Sequence, residues 1–335
     1  MTLPLALITT LQQAPAEEAW AALFEYAWER CSQPITPGKA AADIAKRDGS
    51  LADVDHYLAT ADWELWAAYE ASVPRTAQVL ADWWQAHPPG RAVLILDACS
   101  LRELPWILQQ AEARGFTVQQ AQPTGAELPP NTTPFANALG FAQRSALGNN
   151  GGNNGADQGH VFPGARTESA DLPWTDAAAL IGAEPDWVFW HHWPDHRLHD
   201  HDAPGKGLQT LTEEVEAHLS SDAFWAFLER LASGRRLVIT ADHGYAASGQ
   251  FPDSGKAEGE LLKARYKSGR AVASTEPPGD WSPPIDLALD SAHGRHLYVN
   301  GRRKWKSQGG YPTLTHGGLT LLELVVPFVE LRKVP

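Results

Sequence analysis

Carboxylates and histidines recur in this chain directly after short apolar runs. Asp97 follows residues 92–96 (AVLIL). Asp195 and His199, in PDHRLH, follow residues 187–191 (WVFWH). Asp242 and His243 follow residues 237–240 (LVIT), and His316 stands in THGG ahead of a further apolar run. Mixed Asp and His donors suit zinc or manganese, whereas magnesium prefers oxygen ligands and water. Asp97, Asp242 and His243 make one donor set; Asp195, His199 and His316 make a second. Two ions roughly 4 Å apart clamp an in-line displacement at phosphorus. The expected chemistry is hydrolysis of a phosphate ester.

Each residue taken alone has a plainer reading. An Asp after a strand commonly caps a turn or helix, and Asp-His-Gly can be a simple turn. His316 alone can be a satisfied core or surface histidine. The crowding of His191, His192, His196, His199 and His201 lets several partners of Asp195 fit. The set carries the inference, because open α/β sheets build their sites at the carboxyl ends of strands. A nucleophile is expected in PPNTTPF, residues 129–135. Pro134 suits the first turn of a helix, with Thr133 as N-cap. There the Thr133 hydroxyl would sit beside the positive helix end, and a metal would lower its pKa further. A plain capping threonine is the other reading.

The elements that must position these residues follow from the apolar pattern. Continuous apolar runs suit strands covered on both faces. Runs at 92–96, 187–191, 237–240 and 325–328 alternate with helical patterns at 211–231 and 319–324. This predicts an α/β fold with a mostly parallel central sheet flanked by helices. Residues 1–90 read as a helical N-terminal extension. Trp20, Leu23, Phe24 and Ala27 share one face of 17–30, and Trp63, Trp66, Tyr69, Leu80 and Trp83 punctuate 62–85, where Pro74 interrupts. Residues 146–164, with NNGGNNG, and 245–311, rich in Pro and Gly, read as insertions, the second a cap segment. Asn300-Gly301 is a hairpin signal.

Composition narrows the partners. The 335 residues are 43% hydrophobic and 20% charged, ordinary for a folded protein with a large core. The net charge of −13 argues against a broadly basic, nucleic-acid-binding surface. Residues 263–306 hold nine Lys or Arg against four Asp or Glu, a local reversal. Two cysteines exclude a disulfide scaffold and a Cys-rich zinc domain. No apolar run reaches the roughly 18 residues of a membrane span. The opening MTLPLALITT has no basic flank, so no secretory leader is expected and the expected location is the cytoplasm.

The segment from about 92 to 331 resembles the PglZ domain family of the alkaline phosphatase superfamily. VLILDACSLRELPWI, LPPNTTPFANALG, LVITADHGY and THGGLTLLELVVPF carry the resemblance. It implies an alkaline phosphatase-like catalytic domain over 91–335. It places Asp97, Asp242 and His243 on first-metal positions, and Asp195, His199 and His316 on second-metal positions. The family segment resembles Pro-Thr-x-Thr followed by a helix. An ungapped match makes Thr133 the metal-bound nucleophile, with Asn131 in place of the first threonine; a slip of one residue gives that role to Thr132. The implied activity is metal-dependent hydrolysis of phosphate esters with two divalent ions, in phage-defence systems such as BREX or in signalling proteins.

Charge points to the substrate class. Two divalent ions balance three carboxylates and a threonine alkoxide, which suits a singly charged phosphodiester. Lys263, Arg265, Arg302 and Arg303 are candidates to bind the rest of a nucleotide or oligonucleotide, with Trp305 and Tyr266 stacking on bases. The alternatives are a phosphomonoesterase, or a catalytically weak scaffold module docking defence-system partners. A sulfatase is disfavoured, because Cys99 and Ser100 lie on the wrong segment.

Overall fold

The structure, a computed structural model, describes residues 3–154, 159–200, 207–274, 285–308 and 310–334. His201 and parts of both insertions lie outside the described residues. The strands are β1 (Arg91–Leu96), β2 (Phe116–Gly125), β3 (Arg166–Ala170), β4 (Asp186–His191), β5 (Arg236–Thr240), β6 (Ala271–Ala273), β7 (Asp286–Ser291), β8 (Gly294–Val299) and β9 (Val325–Lys333). Six form the main sheet in the order β2-β9-β5-β1-β4-β3. β5, β1, β4 and β3 are mutually parallel, and β9 runs antiparallel to both β5 and β2. The sheet is thus mostly parallel, as expected. β1 and β4 are buried along their whole length, the physical reason for their unbroken apolar runs.

Two strands left no apolar signature. β2 (FTVQQAQPTG) lies on one sheet edge with its middle exposed, so its side chains carry no burial pattern. Its backbone is held by the antiparallel ladder to β9. β3 is the opposite edge strand. The helical pattern over 211–231 is two helices, Leu208–Leu219 and Asp222–Ala232. They part at Ser220-Ser221, where Ser221 Oγ accepts the Phe224 N–H (3.1 Å) and caps the second. The region 62–85 divides into the 3₁₀ helix Trp63–Ala68 and the helices Tyr69–Ser72 and Thr76–Ala86, on either side of Pro74.

The inserted region carries the helix Lys256–Tyr266 and a small antiparallel sheet, β6-β8-β7. Asn300-Gly301 is not its hairpin turn; β7 and β8 turn at Ala292-His293. Asn300 is buried and bridges to Leu319. Gly301 has φ +72° and lies so close to the N-terminal helices that a Cβ would stand 2.7 Å from that of Ala59. The glycine therefore serves close approach and positive φ.

Residues before β1 are helical and dock through aromatic rings and charge. Trp20 packs on Trp66 at 4.8 Å between centroids, and the Tyr69 hydroxyl donates to the Ala126 carbonyl (2.9 Å). Buried Asp48, on the helix Ala40–Ser50, pairs with Arg102 after β1 and with Arg302 after β8 (2.5 Å to the latter). Arg302 also pairs with buried Asp55 (2.6 Å), whose other oxygen accepts the Leu321 N–H (2.9 Å). Burial raises the Asp48 pKa, but the two guanidiniums outweigh it and hold the carboxyl below its usual range. Among the described residues, no helix is long and apolar enough to cross a membrane.

Removing one partner of such a network strands a buried charge. Asp48→Ala is expected to destabilise the protein by about 3–5 kcal/mol in denaturant titrations, while exposed Asp82→Ala stays within about 0.5 kcal/mol.

Candidate metal centre

The carboxyl ends of β1, β4 and β5 converge, and backbone bonds lock them together. The Asp97 N–H donates to the His191 carbonyl (3.0 Å), and the Asp195 N–H donates to the Asp97 carbonyl (3.1 Å). The Ala98 N–H donates to Asp242 Oδ1 (2.9 Å). Ala98 itself takes φ +59°, a left-handed turn that swings the chain away from the strand after Asp97.

The predicted donors meet here. His243 Nε2 lies 3.3 Å from Asp242 Oδ2 and 3.8 Å from Asp97 Oδ1. Asp195 lies 3.5 Å from His316 Nε2 through Oδ1 and 3.8 Å from His199 Nε2 through Oδ2. The His243 and His316 rings stack at 4.4 Å. Two donors that each sit about 2.1 Å from one zinc ion can be at most about 4.2 Å apart, and all four separations meet that limit. The donors form two triads, Asp97–Asp195–His243 and Asp195–His199–His316. Asp195 is shared by both, a bridging position that the expected division into two separate sets did not contain. Asp242 adjoins the first triad through His243.

The polar groups around the cluster fit cations. Asp195 Oδ1 and Asp242 Oδ2 are buried acceptors that receive no hydrogen bond among the described residues. His243 Nδ1 lies 2.8 Å from the Gly244 carbonyl oxygen, which only accepts. Nδ1 therefore carries the proton and leaves the Nε2 lone pair toward the cluster. Burial, then the neighbouring Asp242 and Asp195, push the Asp97 carboxyl well above its usual range. Burial likewise pushes Asp242 up to about 7. His316 is pushed down to about 3, by burial and then by the adjacent His243.

The expected N-cap, Thr133, needs correction. The helix is Thr132–Ala138, and its N-cap is Asn131, whose side chain accepts the Thr132 N–H (2.9 Å). Thr133 is the second helical residue and is exposed. Thr132 faces the cluster instead, its hydroxyl 3.4 Å from Asp97 Oδ1 and 3.5 Å from His243 Nε2. Starting the helix two residues earlier than expected puts Thr133 inside its first turn, on the solvent side.

The histidine crowd also separates. His191 is bound to the Leu172 carbonyl (2.8 Å) and the Trp193 N–H (3.1 Å). His192 meets Ser169 Oγ (3.0 Å), and His196 lies 3.3 Å from Asp171. Among the described histidines of this run, His199 is the one paired with both Asp195 and the His316 ring.

Two positioning groups escaped the sequence reading. Arg144 forms an ion pair with Asp97 Oδ2, and Trp190 Nε1 donates to the same oxygen (3.1 Å), so Oδ1 is turned to Thr132 and His243. The signal was faint: Arg144 is the only Lys or Arg between 129 and 164. Buried Glu323 is the second group. Its Oε1 accepts the Gly318 N–H (2.6 Å) and its carbonyl accepts the Gly244 N–H (2.9 Å), so one residue holds the backbone beside both His316 and His243. Arg270 of the inserted region pairs with it at 2.8 Å. The arginines expected to meet a polyanion are engaged elsewhere: Arg265 with Asp286, Arg302 with Asp48 and Asp55, and Arg303 with Glu258. Tyr266 and Trp305 are buried.

Among solved structures, a phosphonoacetate hydrolase from Sinorhizobium meliloti 1021 in complex with phosphonoformate is 15% identical, with TM-score 0.39, over 74% of this chain and 91% of that one. Murine ectonucleotide pyrophosphatase/phosphodiesterase 5, in complex with AMP, is 12% identical, with TM-score 0.40, over 72% of this chain and 88% of that one. Among curated proteins, the alkaline phosphatase-like protein PglZ of Bacillus cereus (strain H3081.97) is 28% identical over 106 residues. That stretch is 30% of this chain and 12% of the relative's length. No family model matches the chain.

Two outcomes are expected. Zinc binding, followed by competition with a chromogenic chelator, weakens by about tenfold for each pH unit below 7, as the Asp242 proton must be displaced. Glu323→Ala weakens zinc binding by about 10–100-fold, while Glu323→Gln, which keeps a carbonyl acceptor, loses less.

Proposed function

We propose that this protein is a metal-dependent phosphodiesterase with Thr132 as its nucleophile. The observation that carries the proposal is one threonine hydroxyl, 3.4 Å from Asp97 and 3.5 Å from His243, at the edge of a donor set sized for divalent cations. Asp97, Asp195, His199, Asp242, His243 and His316 would hold two such ions. Bound there, zinc or manganese supplies Lewis acidity and lowers the pKa of nearby hydroxyls.

Thr132 Oγ attacks phosphorus in line and loses its proton to solvent, and the first P–OR bond breaks, the leaving oxygen taking a proton from solvent to depart as an alcohol. The chain then carries a phosphothreonine. Water adds from the opposite side, releases a phosphomonoester and restores Thr132. Trp190 and Arg144 keep Asp97 Oδ2 engaged, so that Oδ1 stays beside the reacting hydroxyl. Arg144 also alters the charge balance. Two divalent ions offset three carboxylates and an ionised Thr132, and Arg144 leaves one positive charge over. A phosphodiester carries one negative charge and closes that balance; a monoester brings nearly two. The name of the curated relative, alkaline phosphatase-like, agrees with phosphate-ester chemistry. The family resemblance is the ground for placing the activity in phage defence or signalling.

The test is hydrolysis of bis(p-nitrophenyl) phosphate beside p-nitrophenyl phosphate, in zinc and in manganese. The diester is expected to turn over faster. Thr132→Ala is expected to keep its metals and lose more than about a thousandfold in kcat, while Thr133→Ala retains activity. Near-normal turnover by Thr132→Ala would remove it as nucleophile.

A further inference from the structure

We propose that a basic cleft in the inserted region binds single-stranded nucleic acid, as substrate for the metal centre. The use of the cleft rests on the phosphodiesterase reading; the binding itself does not. The cleft has a volume of about 240 Å³, and Lys256, Lys263, Lys304, Lys306, Trp305 and Tyr311 line it. Lys256 and Lys263 are two helical turns apart on Lys256–Tyr266 and so share a face. Lys304 and Lys306 approach from the segment after β8. Asp253 and Glu260 also line the cleft, which leaves it net positive in a chain of net charge −13.

Three of these four lysines differ from the arginines nearby in being available. Lys304 pairs with Asp253 at 3.2 Å. Lys256, Lys263 and Lys306 have no carboxylate partner among the described residues, and all three are exposed. A stripe of unpaired cations gains by meeting a row of phosphates, through release of their counterions. Tyr311 supplies the second element. It is 39% exposed, and Lys304 Nζ lies 5.6 Å from its ring centroid. An exposed ring beside cations is a stacking platform for a base. Bases in a duplex already stack on each other, so the platform selects a single strand.

A second, small cavity adjoins the cleft. Lys304 and Trp305 are shared with this adjoining cavity, which Thr315 also lines. Thr315 directly precedes His316. The adjoining cavity thus reaches the residue next in sequence to one proposed to hold a metal.

The experiment uses the full chain and a fluorescein-labelled oligo-dT of about 12 nucleotides, within the usual footprint of single-strand binders. Fluorescence anisotropy is read in chelator, where nothing turns over. The wild type is expected to bind. Lys263→Glu/Lys306→Glu and Tyr311→Ala are each expected to weaken binding by about tenfold. The salt slope of log K is expected to fall by about 0.7 for each lysine lost. Exposed Lys39→Glu, in the N-terminal region, leaves binding unchanged, and thermal melting verifies the fold of each variant. Absence of binding, equal binding by the double variant, preference for a duplex, or an unaffected Tyr311→Ala overturns the proposal. Failure of the phosphodiesterase reading appears differently, as intact oligonucleotide binding with no turnover of the small diester.

Discussion

The site depends on one electrostatic constraint: three carboxylates, Asp97, Asp195 and Asp242, crowd together where water is largely excluded. Asp97 and Asp242 are fully buried, and their pKa values rise because neither burial nor mutual repulsion tolerates the full negative charge. The surrounding groups are arranged to meet that charge. Arg144 and the Trp190 indole engage one Asp97 oxygen, and the Ala98 amide engages one Asp242 oxygen. The acceptors left over, Asp195 Oδ1 and Asp242 Oδ2, stand opposite histidine nitrogens at separations that one cation can bridge.

Such crowding persists only if the backbone cannot relax away from it. The parallel strands β1, β4 and β5 fix three of the acidic loops relative to one another. His316 has no strand of the main sheet directly behind it. Glu323 replaces one, tying Gly318 to Gly244 and hence the His316 loop to the end of β5. Arg270 then joins this carboxylate to the inserted region, and Arg302 joins that region to Asp48 and Asp55 of the N-terminal helices. Buried ion pairs such as these contribute little net stability, but each is costly to break singly. They set the relative positions of parts of the chain that are far apart in sequence.

The same ion pairs divide the inserted region's charge. Its Arg265, Arg270, Arg302 and Arg303 are spent on Asp286, Glu323, Asp48, Asp55 and Glu258, while Arg295 pairs with Asp290 at the surface. Its lysines remain on the surface around the cleft beside Tyr311. Counting cations along 263–306 could not separate these two populations, because engagement with a distant carboxylate is invisible in the local charge.

Much of this protein was legible in the chain alone. Strands buried on both faces must be apolar throughout, so β1, β4, β5 and the start of β9 announced themselves, and with them the positions of Asp97, Asp242 and the Asp195–His199 pair. Edge strands β2 and β3 carry no such obligation and stayed hidden. Pro134 marked the helix beside the cluster, but the helix starts two residues earlier than expected, and at about 100° per residue the start decides whether Thr132 or Thr133 faces inward. Choosing His199 from its neighbours, sharing Asp195 between two triads, and bringing Arg144 and Glu323 to the site all needed the tertiary structure. Those contacts join residues from different loops, and their spacing along the chain carries no record of distance in space.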